Sequence, residues 1–200
     1  MAAKRRTETM EENRVKLIAA ARKAFALQGF AASSMDQLTA DVGLTRGALY
    51  HHFGDKKGLL GAVVAEIDGE MAARARRAGA AASTDWEGLI AESSAYIEMA
   101  LDAEVRRVVL LDGPAFLGDP SRWPSQNACL EMTKEAVAKL IAEGTLKPVD
   151  IEAAARLING AALNAALWVA ASEQPLSVLP KAIEAFRLLA TGLLAAKTRS

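Results

Sequence analysis

A chain of 200 residues, 52% of them hydrophobic, can bury a sizeable core, but its formal net charge of zero hides an asymmetry. Residues 1–60 hold ten Lys/Arg against six Asp/Glu, so a surplus of +4 there faces −4 over the remainder, which predicts a polyanion partner for the N-terminal part. The lone Cys129 excludes an internal disulfide, no secretory apolar core follows Lys4-Arg5-Arg6, and the most apolar stretch, 161–171, is broken by Asn164 and too short to span a bilayer, so a cytoplasmic protein with no membrane partner is expected.

Abundant alanine, few aromatics and no alternating Val/Ile/Thr runs predict an all-α chain. A first helix is expected from about Thr9, where Thr9-Met10-Glu11-Glu12 fits a capping box, to Gly29, with Leu17, Ile18, Ala21, Ala24 and Phe25 on one face. Ser34-Met35-Asp36-Gln37 opens a short second helix with Met35, Leu38 and Val42 inward, ending at Gly43. Thr45 caps a third, to about Phe53, held by Leu49 and Phe53 with its other face free. Asp55 caps a long fourth helix carrying Leu59, Val63, Ile67 and Met71, which fades in the Ala/Gly/Ser stretch 78–83. Thr84-Asp85-Trp86-Glu87 starts the next, with a stripe of Trp86, Leu89, Ile90, Ile97 and Leu101. A helix over 104–111 precedes an irregular connection punctuated by Gly113-Pro114, Gly118 and Asp119-Pro120. Three more helices are expected, at about 125–143, at 151–172 after the cap Asp150, and at 177–196.

Two short helices joined by Val42-Gly43-Leu44-Thr45 form a helix-turn-helix, in which Gly43 supplies the positive φ needed where the chain reverses. Such units also occur away from DNA, but here the free face of the third helix carries Arg46, Gly47, Ala48, Tyr50 and His51. A helical glycine costs about 1 kcal/mol against alanine, and close approach to a phosphate backbone is one reason to keep Gly47. Gly29-Phe30, Ser33-Ser34-Met35, Leu38, Val42-Gly43-Leu44, the run Thr45-Arg46-Gly47-Ala48-Leu49-Tyr50-His51-His52-Phe53 and Lys56-Lys57-Gly58-Leu59-Leu60 together resemble the DNA-binding pattern of the TetR family, over about residues 14–60. The resemblance implies a three-helix DNA-binding domain at 1–60 and a helical effector-binding and dimerisation domain at 61–200; ahead of the first, the charges of Lys4, Arg5 and Arg6 fit either a basic arm along the minor groove or a disordered basic terminus. It implies a regulator, a repressor released from a near-palindromic double-stranded DNA operator by a small molecule. Residues 110–118 resemble a segment of one branch of these regulators.

Position assigns the roles. Arg46 reaches a guanine edge bidentately or a phosphate, and Ala48 meets a thymine methyl or nothing. Tyr50 and His51 are phosphate candidates, with a base contact or simple solvation as the alternatives for His51. Ser34 and Thr45 cap helix starts whose amides can meet phosphate, Leu44 and Gly47 complete the turn and the close approach, and Lys56 adds charge. The adjacent His51 and His52 diverge around the helix, so no metal is expected, and nothing calls for a cofactor. Gly160, Ala161, Asn164 and Trp168, facing Ile183, Phe186, Leu189 and Leu193, suit a four-helix homodimer interface, with an intramolecular core as the alternative. Tyr96, Phe116, Trp123, Met132 and Asn159 combine apolar bulk with polar tips, as a cavity for a neutral aromatic or lipid-like effector would. An enzyme has little to build on here, with both histidines in the third helix and no glycine-rich phosphate loop. A DNA-binding regulator controlled by a protein partner, or by no ligand at all, stays open.

Overall fold

The computed structural model describes residues 2–196, with side chains from Thr9 onward. Its α-helices are α1 (Ala2–Gln28), α2 (Met35–Ala40), α3 (Arg46–Phe53), α4 (Lys56–Ala80), α5 (Asp85–Glu98), α6 (Gly113–Leu117), α7 (Pro124–Ala142), α8 (Ile151–Ala171) and α9 (Pro175–Thr191). The all-α expectation holds: one isolated antiparallel bridge, Leu146 to Leu194, is the extended pairing among the described residues. The chain divides into two compact units, one formed by residues 1–67 with 103–118, the other by 68–102 with 119–200.

In the first unit the predicted stripe of α1 is realised: Leu17, Ile18, Ala21 and Phe25 are at most 3% exposed. They share a core with Leu38, Leu49, Leu59, Leu60, Val63 and Ile67. Helix α1 starts at Ala2, not at Thr9, because residues 2–8 hold no Gly or Pro and are strong helix formers. Side chains of the basic arm, Lys4, Arg5 and Arg6, lie outside those described.

Segment 103–118, which the resemblance places with the second domain, packs within the first unit. Residues 105–112 form a π-helix, a helix type more open than the one expected. Pro114 offers no N–H to extend that wide turn, and the chain continues as α6 to Gly118. The expected irregular connection is therefore helical as far as Leu117. Two devices tie this segment to α1 and the turn after it. Asp112, buried, accepts the Phe30 N–H at 2.7 Å and Arg107 Nε at 3.3 Å. Arg22 grips both carboxylate oxygens of Glu104, at 2.8 and 2.7 Å, and reaches Glu66 at 3.0 Å.

The second unit is a helical bundle in which α8 packs on α5, α7 and α9. Eight residues of α8 are buried, among them Ala155, Ala166, Val169 and Ala170 at 0%. That helix is long and apolar enough to cross a membrane by composition alone, and 39% of its apolar stretch is buried within the bundle. The expected caps Thr84 and Asp150 accept from Glu87 N at 3.2 Å and Ala153 N at 2.8 Å. Helix α9 stops at Thr191 rather than continuing to 196, because the following backbone pairs with the segment after α7: Lys147 N donates to Leu193 O and Ala195 N to Thr145 O.

Candidate nucleic-acid interface and ligand cavity

The helix-turn-helix is held by local chemistry. Ser34 Oγ accepts from Gln37 N at 3.5 Å and Thr45 Oγ1 from Ala48 N at 3.2 Å, each satisfying a first-turn amide. Gly43 takes φ +67°, and the Leu44 N–H bonds to Thr39 O at 2.9 Å. Thr39 is buried, with its hydroxyl donated to the carbonyls of Met35 and Asp36. Leu49 fastens α3 to the core at 0% exposure. The opposite face is open: Thr45, Arg46, Gly47, Tyr50 and His51 are exposed, while Leu44 and Ala48 are half-buried. A Cβ on Gly47 would meet only Thr45 Oγ1, at an ordinary 3.7 Å, so packing within the chain does not demand the glycine. Arg46 Nε lies 3.3 Å from Asp36 Oδ1, with both side chains exposed.

Lys56 behaves differently from its expected role. Its ammonium donates to the Phe30 carbonyl and sits 4.5 Å from the centroid of the Phe30 ring. Burial pulls its pKa below the usual lysine range. The basic side chain fastens the turn after α1.

In the second unit a cavity of about 90 Å³ opens among four helices. Helix α4 contributes Ala72, Ala75 and Arg76, and α5 contributes Leu89, Glu92, Ser93 and Tyr96. Gln126, Cys129, Met132 and Thr133 come from α7, and Asn159 and Ala162 from α8. Behind this wall Asp68, 3% exposed, accepts from Gln126 Nε2 at 3.2 Å. Burial, with the Asp68 charge second, pushes the Tyr96 phenol well above its ordinary range, so the phenol is neutral. Burial also raises Glu92, against the opposing pull of Arg76.

Comparison with known proteins is decisive here. Residues 17–63 match the family model for bacterial regulatory proteins of the tetR family, and 86–193 match the tetracyclin repressor-like C-terminal domain. The chain belongs to the TetR family of DNA-binding transcriptional regulators. A TetR-family transcriptional regulator from Pectobacterium atrosepticum, solved by crystallography, is 46% identical, with a TM-score of 0.86 over 94% of this chain and 97% of that one. The probable HTH-type transcriptional regulator ArpR of Pseudomonas putida is 30% identical over 76% of this chain and 77% of its own length. FadR of Bacillus subtilis, solved with stearoyl-CoA, shares the fold at 19% identity, with a TM-score of 0.70 over 90% of this chain and 98% of FadR.

In this TetR-family regulator, Tyr96, Met132 and Asn159 of the expected pocket set line one cavity together. Phe116 does not: it packs on Phe30 in the first unit, centroids 4.5 Å apart. Trp123 is buried ahead of α7, its indole N–H without a partner, and is not among the residues lining the cavity. Arg76, Glu92 and the α4 wall were missed, because the Ala/Gly-rich end of α4 reads as a fading helix and carries no aromatic signal. The expected interface residues also divide. Trp168 is 51% and Leu189 71% exposed, Gly160 and Asn164 are exposed, and Ala161, Ile183 and Leu193 are half-buried. Phe186, at 3%, is core of its own chain and has no area to offer a partner. Leu157 of α8 and Leu176 and Leu188 of α9, at 74%, 76% and 66%, are further exposed apolar side chains.

Proposed function

We propose that the protein is a cytoplasmic, non-enzymatic repressor that grips a near-palindromic operator as a homodimer and lets go when a small molecule enters the cavity. The observation that carries this reading is the path of α4, which roots Leu59 and Val63 in the core of the helix-turn-helix unit and then supplies Ala72, Ala75 and Arg76 to the cavity wall. Segment 103–118 adds a second covalent path, since it leaves α5, anchors α1 through Glu104 and Asp112, and returns toward α7. A ligand that favours one spacing of α4, α5 and α7 shifts the population of reader geometries only as far as its affinity differs between them.

On DNA, Arg46 reads a guanine edge, Ala48, Tyr50 and His51 follow along α3, Leu44 and Gly47 let the turn approach, and the Ser34 and Thr45 caps present amides to phosphate. Lys56 is committed within the fold, so it contributes field rather than direct contact. The dimer face runs along Leu157, Gly160, Ala161, Asn164 and Trp168 of α8 and Leu188 and Leu189 of α9. Exposed apolar and small side chains recurring at helical spacing along α8 support an interface.

The test is to select an operator from random duplexes and titrate a metabolite library against the complex by fluorescence anisotropy. Any hit is repeated with Tyr96→Phe and Asn159→Ala. Release by a compound whose action weakens in these variants is expected. Failure of every compound to release DNA would overturn the sensing role, and hits indifferent to both variants would overturn the assigned cavity.

A further inference from the structure

The lining carries one cation, Arg76, and one carboxylate, Glu92, with the buried Asp68 bonded to the lining Gln126. Several of the lining donors are spent within the protein: Ser93 donates to Leu89 O at 3.0 Å, Thr133 to Cys129 O at 3.0 Å and Asn159 Oδ1 at 2.9 Å, and Gln126 to Asp68 at 3.2 Å. The Ser93 and Thr133 hydroxyls, whose protons are committed, keep acceptor lone pairs. Charge points the same way. Arg76 is exposed and turns Nη1 to the Met132 sulfur at 3.7 Å, whereas Glu92 is half-buried and Asp68 lies wholly inside. Burial first, and the Asp68 charge second, raise both the Tyr96 phenol and the Cys129 thiol, two lining groups. The Glu92 side chain lies over Gly79 of α4, where a Cβ would meet its Cγ and Oε1, so the glycine makes room for the carboxylate at the cavity wall.

Resting on the sensing role argued above, we propose that the effector is a compact molecule with a protonated nitrogen on an apolar body, the nitrogen turned to Glu92 and toward Asp68. The body fits against Ala72, Leu89, Met132 and Ala162. A carboxylate or phosphate in the same place would meet the like charge of Glu92, which the single lining cation, Arg76, already attracts, and the field of Asp68 behind it. This proposal differs from the sequence-based expectation of a neutral aromatic or lipid-like effector because Glu92 of α5 joins the α4 side of the cavity only in the fold.

Three near-isosteric probes separate the charge types: benzylamine, benzyl alcohol and benzoate, titrated into the full-length protein by calorimetry without DNA. Benzylamine is expected to bind at least about tenfold more tightly than either of the others. Glu92→Gln and Asp68→Asn should each shrink the ratio of benzylamine to benzyl alcohol affinity; Glu92→Gln, at a half-buried position, keeps the test valid if Asp68→Asn folds poorly. Benzoate binding as well as benzylamine, an amine preference that survives both variants, or no saturable binding of any probe at millimolar concentration would overturn the charge assignment. Operator release by neutral or anionic library compounds alone would do the same while leaving the sensing role intact.

Discussion

Arg46, the side chain proposed to read the operator, pairs with an exposed carboxylate. Its pairing with Asp36 at 3.3 Å is between two exposed groups and is worth at most about 1 kcal/mol, so DNA competes for it easily. Arg46→Ala should weaken operator binding by about 1–3 kcal/mol and relax preference at one base pair per half-site. A loss equal across all sequences in a competition assay would reassign the contact to phosphate. Asp36→Asn frees the guanidinium and removes a negative charge from the approaching face, so it should tighten binding to any duplex; weaker binding would mean that Asp36 orients Arg46. Glu92 makes a pH prediction. Its folded-state pKa is raised by burial, so the folded chain holds the proton more tightly than the unfolded one, and the group's contribution to stability falls as pH rises through the window from the ordinary glutamate value of 4.5 to its raised value. Glu92→Gln removes that loss. Urea melts should show the variant gaining on the parent as pH rises through this window, and a constant difference would contradict the burial account.

Among the elements, the π-helix and α6 matter most, because residues 103–118 leave the order of the chain and join the helix-turn-helix unit. Asp112 is the fastening. Its carboxylate accepts a buried amide from Phe30, so Asp112→Ala strands that N–H and should cost about 1–3 kcal/mol in a denaturant melt. Asp112→Asn keeps an acceptor and should lose less. If the alanine variant melts like the parent, the segment is not anchoring the turn after α1. Helix α3 rests on a smaller device: Thr45→Ala deletes the side-chain cap at Ala48 N and should cost about 1 kcal/mol, read from the same melts.

For the whole molecule, the exposed apolar side chains of α8 and α9 predict the oligomeric state. Trp168→Glu places a charge on the face carrying Leu157, Leu188 and Leu189, and should yield folded monomers by light scattering that bind operator poorly. A variant that remains dimeric would move the interface elsewhere. A dimer sets two copies of α3 about 34–36 Å apart, one turn of duplex, which is why the selected operator should be a near-palindrome. The N-terminal surplus of +4 predicts binding that weakens steeply with salt as counterions are displaced from phosphate; affinity insensitive to salt would remove the electrostatic part of the argument.

Residues near each other in sequence determined much of this protein without help. The caps at Ser34, Thr45, Thr84 and Asp150 act on an amide three residues ahead, and the stripe of α1 and the left-handed Gly43 follow from helical period and steric limits. These are short-range interactions, written in the order of the residues. The tertiary structure alone decided that Phe30 would be fastened by Asp112, 82 residues away, and by Lys56, 26 away; that Phe116 would join the Phe30 ring rather than the cavity; and that Phe186 would turn inward. The same holds for the charged cavity wall, where Arg76 of α4 and Glu92 of α5 line one cavity and Asp68 of α4 bonds Gln126 of α7. A helix's own pattern says which face is apolar but not which neighbour will cover it, since that choice depends on the burial of all the helices at once.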